Sequence, residues 1–168
     1  MKKFLLVLAV VFGLSATAMA QQKGDKFIGG AISATTVNAA TFNLGVAIEG
    51  GGFVADRWAL SGTASYSLLN RDDHMLVVAP QVAYYVRLAD KFYYTPSLTV
   101  GGVFTSTDGY NTGGLASKIA PFAVEFRPTK HFGLGVNMFS FTYYFIEGQS
   151  VFSLNLLSDV SVSFRYYF

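Results

Sequence analysis

Hydrophobic and polar residues alternate one by one along much of the chain, and the last residues show this pattern most clearly. One face carries an apolar row: Val160, Val162, Phe164, Tyr166 and Phe168. The opposite face carries Asp159, Ser161, Ser163, Arg165 and Tyr167. Because successive side chains of a strand point to opposite faces, a period of two predicts a β-strand with one apolar and one polar face.

Strands of this kind are predicted in eight segments of the chain. They cover residues 27–36, 41–49, 58–68, 75–87, 92–104, 117–127, 132–143 and 151–168. Four of them follow a short polar motif: Asp25-Lys26-Phe27, Asp56-Arg57-Trp58, Asp90-Lys91-Phe92 and Thr129-Lys130-His131-Phe132. The aromatic residues of these motifs are 31, 34 and 40 residues apart, with 36 more to Phe168, and each interval fits one hairpin. The sequence therefore predicts an all-β, eight-stranded antiparallel up-and-down barrel.

The predicted connections differ between the two ends of this barrel. Those at 56–57, 88–91 and 128–131 are short and charged, as periplasmic turns are. Those at 37–40, 69–74, 105–116 and 144–150 are assigned to the cell exterior, and the longest of them, 105–116, is rich in turn-forming residues.

The apolar face is predicted to contact lipid and the other face to line the lumen. The predicted lipid-facing residues are Phe42, Leu44, Val46, Ile48, Trp58, Leu60, Ala64, Tyr66, Leu68, Leu76, Val78, Val82, Tyr84, Val86, Leu98, Val100, Phe122, Val124 and Phe126. The predicted lumen residues are Asn43, Gly45, Ala47, Glu49, Ser61, Thr63, Ser65, Ala79, Gln81, Arg87, Ala123, Glu125, Arg127, Asn155, Asp159 and Arg165. A soluble periplasmic ligand-binding barrel, lipocalin-like, is the alternative, but its outer face would be charged rather than composed of small residues.

Charges on the lumen face are predicted to form a polar network. The network pairs three carboxylates with three guanidiniums: Glu49, Glu125 and Asp159 with Arg87, Arg127 and Arg165. A buried charge without a partner would be costly, and an eight-stranded barrel has room for side chains and little else, so a filled lumen is predicted. A narrow porin-like channel is the alternative.

Four aromatic residues at predicted strand ends suit the boundary between lipid and water: Phe27, Trp58, Phe92 and Phe132. An aromatic ring there can be half apolar and half wet, while the charged turn residues beside it stay in water. The alternative is that these motifs are ordinary hairpin turns of a soluble β protein.

The first twenty residues have the features of a secretory signal peptide. Lys2 and Lys3 precede an apolar run at 4–14, and the small residues Ala18 and Ala20 precede an expected cleavage before Gln21. An eleven-residue run is too short to span a membrane. These features predict export, and together with the strand pattern they predict the outer membrane of a Gram-negative cell.

Composition narrows the class further. Beyond the signal no apolar run reaches the roughly 20 residues of a membrane helix, so a chain crossing lipid must form a closed barrel. Without its two signal lysines the chain has ten basic and ten acidic residues, which gives no basis for nucleic-acid binding. The absence of cysteine excludes disulfides and Cys-ligated metals, and no motif indicates a cofactor.

Two features do not fit regular strands. Pro80, Pro96 and Pro121 fall within predicted strands, where a residue without an N–H interrupts the ladder. In segment 132–143 the apolar residues change from one face of a regular strand to the other. They are first Leu134, Val136 and Met138, and then Phe139, Phe141 and Tyr143. A bulge, a protruding rim or a misplaced boundary would account for these features.

The chain resembles small outer-membrane β-barrels of the OmpX/OmpA type, including outer-membrane β-barrel domain proteins labelled porin family. The terminal strand with its final Phe168 carries this resemblance, as do FVADRWAL at 53–60 and APQVAYY at 79–85. The resemblance implies that the barrel-assembly machinery recognises the row from Val160 to Phe168. It implies no catalytic residue or activity.

The expected role is therefore structural or surface-interactive, with lipid, the assembly machinery and a surface protein or peptide as expected partners. If the last two strands extend beyond the lipid, their edges could bind peptides by β-augmentation. His74 near Ser67 and Arg71 leaves a lipid-modifying enzyme as a further alternative. No second catalytic partner is placed by the pattern, so no enzymatic activity is expected.

Overall fold

The computed structural model describes residues 23–38, 41–68, 73–107 and 109–168, with side chains described outside 34–43 and 155–160. The predicted signal segment lies outside the described residues. None of the described residues forms a helix long and apolar enough to cross a membrane.

Within the described ranges, ten strand segments form one closed antiparallel sheet. They are β1 (Lys26–Asn38), β2 (Thr41–Ala55), β3 (Trp58–Leu68), β4 (His74–Tyr84), β5 (Val86–Ala89), β6 (Phe92–Tyr94), β7 (Ser97–Thr107), β8 (Tyr110–Phe126), β9 (Phe132–Ile146) and β10 (Gln149–Tyr167). Segments β4 and β5 form one interrupted strand, and β6 and β7 form another, so the ring has eight strands. Pairing of β1 with β10 closes it, which confirms the predicted fold class.

Each of the three prolines lies where the hydrogen-bonded ladder is interrupted. Pro96 falls in the gap between β6 and β7, where its carbonyl accepts a hydrogen bond from the Tyr84 N–H at 3.0 Å. Pro80 falls in a stretch of β4 without β7 partners, and Pro121 falls at a register shift between β8 and β9. A residue without an N–H is tolerated at such places because no ladder bond is lost.

A bulge in β9 explains why the apolar residues of this strand change from even-numbered to odd-numbered positions. Asn137 pairs with Ala123 and Phe139 pairs with Phe122, so Met138 is an extra residue on its strand. The Asn137 side-chain oxygen accepts a hydrogen bond from the Phe139 N–H at 3.3 Å. The bulge keeps the apolar residues on both sides of it on the outer face of the barrel.

The connections at the predicted outer end are shorter than the sequence suggested. The prediction of long loops at 105–116 and 144–150 is wrong, because β7 and β8 continue to Thr107 and from Tyr110, and β9 and β10 are joined by Glu147 and Gly148 alone. Glu147 and Gly148 have positive φ values of 51° and 76°, as a two-residue hairpin turn requires. The other two predicted outer connections fall partly on 39–40 and 69–72, which lie outside the described residues.

One side of the barrel rises above the other. The pairing of β1 with β10 stops at Thr35 and Asp159, whereas β10 pairs with β9 as far as Gln149 and Ile146. In the described backbone, the edge of β10 over residues 149–152 therefore has no β1 partner. We call this part of the hairpin, residues 143–146 of β9 and 149–152 of β10, the raised wall.

Candidate functional site

Arg165 is the centre of a group of charged side chains inside the barrel. Its Nη1 lies 2.6 Å from Glu125 Oε2, its Nη2 lies 3.2 Å from Glu49 Oε2, and its Nε also donates to Glu49. The three residues come from β10, β8 and β2, which are separated by β9 and β1 in the ring. These side chains therefore join strands that are not hydrogen-bonded neighbours.

Glycines on the intervening strands make room for these contacts. Gly29 on β1 pairs with both Glu49 and Arg165, and a Cβ there would lie 3.0 Å from the Glu49 carboxylate and 3.0 Å from Arg165 Cγ. Gly133 on β9 has the same role beside Glu125, whose Oε1 would lie 2.7 Å from an added Cβ. A side chain at either position would occupy the space of the ion pairs.

Glu125 is fully buried and has three partners besides the strand ladder. Arg165 and Arg127 both form ion pairs with it, and the Tyr167 hydroxyl donates a hydrogen bond to its Oε1 at 2.7 Å. We call Glu49, Glu125, Arg127 and Arg165 the buried charge network. Its two carboxylates and two guanidiniums balance, as burial in a low-dielectric interior requires.

Arg127 follows the last residue of β8 and packs on aromatic rings at the end of the lumen. Its guanidinium carbon lies 3.6 Å from the ring centre of Tyr167, 4.9 Å from that of Tyr93 and 5.3 Å from that of Tyr85. Burial alone would lower the pKa of the Arg127 guanidinium, but the Glu125 carboxylate raises this pKa above its ordinary value. Arg127 therefore stays charged where cation–π contacts and an ion pair hold it.

An aromatic plug fills the same end of the barrel, beside the short charged turns. It consists of Phe27, Phe53, Tyr85 and Tyr167, which are all buried together with Ala59 and Ala83. Ring centres lie 6.1 Å apart for Phe27 and Phe53, 5.0 Å for Phe53 and Tyr85, and 5.6 Å for Phe27 and Tyr167. The plug and the buried charge network together fill the lumen at this end.

The assignment of Phe27 to the lipid boundary is wrong. Its side chain is 3% exposed and faces inward, since alternation along β1 places Ile28 on the outer face. Trp58, Phe92 and Phe132 do lie on the outer face near the turns. Trp58 packs on Tyr84, with ring centres 4.8 Å apart.

One other predicted residue, Arg87, does not join the buried charge network. Arg87 forms an ion pair with Asp90 at 2.7 Å beside the turn, because the strand is interrupted at Tyr85 and Asp90 is only three residues away. The same interruption makes the lipid-facing prediction for Val86 wrong, since its side chain is buried. The side chain of Asp159 lies outside the described part of the chain.

The terminal strand has the alternation described for the sequence. Val162, Phe164, Tyr166 and Phe168 are exposed on the outer face, and Tyr167 faces inward. The backbone N–H of Phe168 donates to the Lys26 carbonyl at 2.9 Å, so the last residue takes part in the closure of the ring. The Val160 side chain lies outside the described part.

Several lumen residues were missed at the level of sequence. Three of them precede turns or strand breaks: Phe53, Tyr85 and Tyr93. The alternation of apolar and polar residues is interrupted there and does not indicate which face a side chain occupies. Tyr167 could have been found from the sequence, because it lies on the polar face of the terminal strand and that face is predicted to line the lumen. Lys118 falls within a predicted strand and faces inward between the buried residues Ala116 and Ala120.

His74 has one described side-chain contact at the outer rim. Its Nδ1 lies 2.7 Å from the Tyr66 hydroxyl, and the two rings are stacked with centres 5.8 Å apart. Among the described residues, no group of three or more His, Cys, Asp or Glu side chains could hold a metal ion.

No protein-family model and no curated protein matches the chain. Solved structures do match it. The N-terminal β-barrel domain of Pseudomonas aeruginosa OprF has a TM-score of 0.56 and 11% identity, covering 88% of this chain and 100% of that one. The Yersinia pestis outer membrane protein Ail in nanodiscs has a TM-score of 0.54 and 12% identity, covering 87% and 100%. Neisserial surface protein A has a TM-score of 0.53 and 10% identity, covering 86% and 96%.

The chain has the fold of small outer-membrane β-barrels. In this fold an apolar band surrounds the barrel and the strands alternate between lipid-facing and lumen-facing residues. The exposed large hydrophobic residues of this outer-membrane-type barrel occupy the outer face of its strands, and its charged network lies inside. A soluble ligand-binding barrel has the reverse distribution, with apolar residues inside and polar residues outside.

Proposed function

We propose that the chain is an integral outer-membrane protein with a structural or surface-interaction role and no enzymatic activity. The observation that carries this proposal is an apolar outer wall around a lumen filled at one end by paired charges and aromatic rings. The outer wall suits lipid, and the filled end leaves no wide aqueous path.

The proposal includes export of the chain and its assembly into the outer membrane. Residues 1–20 act as a signal peptide cleaved before Gln21, and the short charged turns face the periplasm. The exposed row from Val162 to Phe168 is presented on the outer face of the closing strand, where the barrel-assembly machinery could contact it. Trp58, Phe92 and Phe132 then lie at the periplasmic lipid boundary.

The first test is gel migration of the washed outer-membrane fraction with and without boiling. A folded barrel of this kind should stay with the membrane and migrate differently after heating, because its closed ladder resists detergent at room temperature. Release of the chain by washing, without a heat-dependent shift, would contradict the proposal and indicate a soluble barrel.

The raised wall favours a second candidate function, the capture of an extended peptide. The edge of β10 over residues 149–152 has no β1 partner in the described backbone and presents backbone groups for β-augmentation, and such an edge is a template for another strand. The side chain of Phe152 beside this edge is 64% exposed. An apolar side chain next to this edge suits a peptide with alternating apolar residues.

A deletion that keeps the strand register tests this second candidate. Removing residues 143–146 and 149–152 shortens both strands by four residues, keeps the Glu147–Gly148 turn and joins the pair Thr142 and Ser153. The variant should keep its heat-dependent gel shift but lose binding of a labelled peptide of alternating valine and threonine, measured by fluorescence anisotropy.

The matched control shortens the neighbouring hairpin instead. Removing Ser106, Thr107, Tyr110 and Asn111 deletes two facing pairs of β7 and β8 and leaves the edge of β10 intact. This control should bind the peptide as the parent does. Equal binding by the β10 deletion would exclude capture at this edge.

A further inference from the structure

A row of polar side chains crosses the lumen-facing surface of five strands. Ser61 pairs with Gln81, Gln81 with Thr99, Thr99 with Lys118, and Lys118 with Thr142. Alternation places all five residues on the inner face. We call them the lumen row.

Lys118 is the charged residue of this row, and its ammonium is not neutralised by the described side chains. No carboxylate or hydrogen-bond acceptor contacts it in that part of the chain. The carboxylates of Glu49 and Glu125 are already bound by Arg165 and Arg127. Within the described lumen, the positive charge of Lys118 is therefore in excess.

The neighbours of Lys118 supply further hydrogen-bond donors. Thr99 Oγ1 donates to Gln81 Oε1 at 3.1 Å, which leaves the amide N–H groups of Gln81 available. The hydroxyls of Thr142 and Ser61 are buried, and neither has a hydrogen-bond partner among the described residues. Buried hydroxyls without partners are rare in folded proteins and indicate a group that completes their hydrogen bonds.

We propose that the lumen row binds a small oxyanion, such as a carboxylate, phosphate or sulfate, against Lys118. An ammonium in the same lumen row as hydroxyl and amide donors offers an anion both charge and hydrogen bonds. The aromatic plug closes the turn end, so the anion would enter from the end that carries the raised wall. The site is a blind polar recess rather than a pore.

One carboxylate that the sequence predicts on the lumen face has to be distinguished from an external anion. The backbone of Asp159 pairs with Thr35, and its side chain lies outside the described part. If this carboxylate reached Lys118, it would take the place of the ligand. The experiment therefore includes a variant at this position.

The test is a titration of the chain in detergent micelles with inorganic phosphate at constant pH and ionic strength. Backbone amide NMR signals of Thr99, Lys118 and Thr142 should shift saturably. Lys118→Met should weaken the apparent affinity at least tenfold, whereas Lys118→Arg should keep it. Lys130→Met, which removes an exposed lysine at the turn end, should bind phosphate as the parent does.

Three results would overturn the proposal. They are shifts that do not saturate, shifts that Lys118→Met leaves unchanged, and phosphate binding that appears only after Asp159→Asn. The last result would show that the protein's own carboxylate occupies the site. The heat-dependent gel shift of each variant separates loss of binding from loss of folding.

Discussion

The carboxylates and guanidiniums of the buried charge network stabilise the barrel only as a complete set. Glu125 has no solvent exposure and accepts hydrogen bonds from Arg165, Arg127 and Tyr167, so it supplies counter-charge to both guanidiniums. Removing one partner of a buried ion pair leaves a charge in a low-dielectric interior, and this cost exceeds the net contribution of the pair itself.

Glu125→Gln should lower the free energy of unfolding by about 3–5 kcal/mol, because Arg127 and part of Arg165 lose their counter-charge. Urea unfolding in lipid vesicles measures this difference. The matched control is Asp90→Asn, which breaks the exposed pair with Arg87 and should cost less than about 1 kcal/mol. Equal effects of the two substitutions would show that the network contributes no more than a surface pair.

The alternation of faces predicted that Glu49, Glu125 and Arg165 point inward, but it could not predict that they meet. The contact of Arg165 with Glu49 depends on register across β1 and on the missing side chain of Gly29. Arg87 was assigned to the network because the sequence gives no sign that the strand is interrupted at Tyr85. Phe27 is expected outside because its turn motif matches those of Trp58, Phe92 and Phe132, whereas its alternation with Ile28 places it inside.

A bulge within a strand preserves the separation between the apolar and polar faces of the barrel. The bulge at Met138 adds one residue to β9 and thereby brings two apolar rows of opposite parity to the same outer face. A one-residue change of register turns every following side chain to the other face of a sheet. The extra residue Met138 is therefore required to keep the apolar residues before and after it on the outer face.

Deleting Met138 should prevent folding of the barrel, because Phe139, Phe141 and Tyr143 would then turn into the lumen or Leu134 and Val136 would do so. Met138→Leu keeps the extra residue and should fold normally. The heat-dependent gel shift after refolding into micelles distinguishes the two variants. A folded deletion variant would mean that the strand absorbs the missing residue by another bulge.

Strand number, order and most boundaries followed from the sequence because a period of two is a direct consequence of strand geometry. The lengths of the outer hairpins did not. Residues 110–116 contain three potential turn formers, Asn111, Gly113 and Gly114, which pair instead with Ser106, Phe104 and Val103 in β7. Local turn propensity was overridden by continued strand pairing, which a single sequence does not reveal.

The filled lumen restricts what can pass through the barrel. The aromatic plug and the buried charge network occupy the turn end, and eight strands enclose a space that side chains can fill. Ions would have to cross a layer of packed rings and paired charges. The architecture thus favours a barrier rather than a conduit.

The chain should give no discrete conductance steps in a planar lipid bilayer. Replacing Phe53 and Tyr85 by alanine removes two rings of the plug and should produce small, frequent openings if the plug is the barrier. The parent reconstituted at the same protein-to-lipid ratio is the control. Regular steps from the parent chain would contradict a sealed lumen and favour a narrow channel.

The contact between Glu49 and Arg165 also bears on movement through the side of the barrel. These residues lie on β2 and β10, on either side of β1, so the ion pair crosses the place where the ends of the sheet meet. Parting the wall there would break the ion pair and leave the Glu49 carboxylate without Arg165 beside hydrocarbon, which is costly. The ion pair therefore opposes sideways release of a lipophilic molecule from the lumen into the bilayer at this seam.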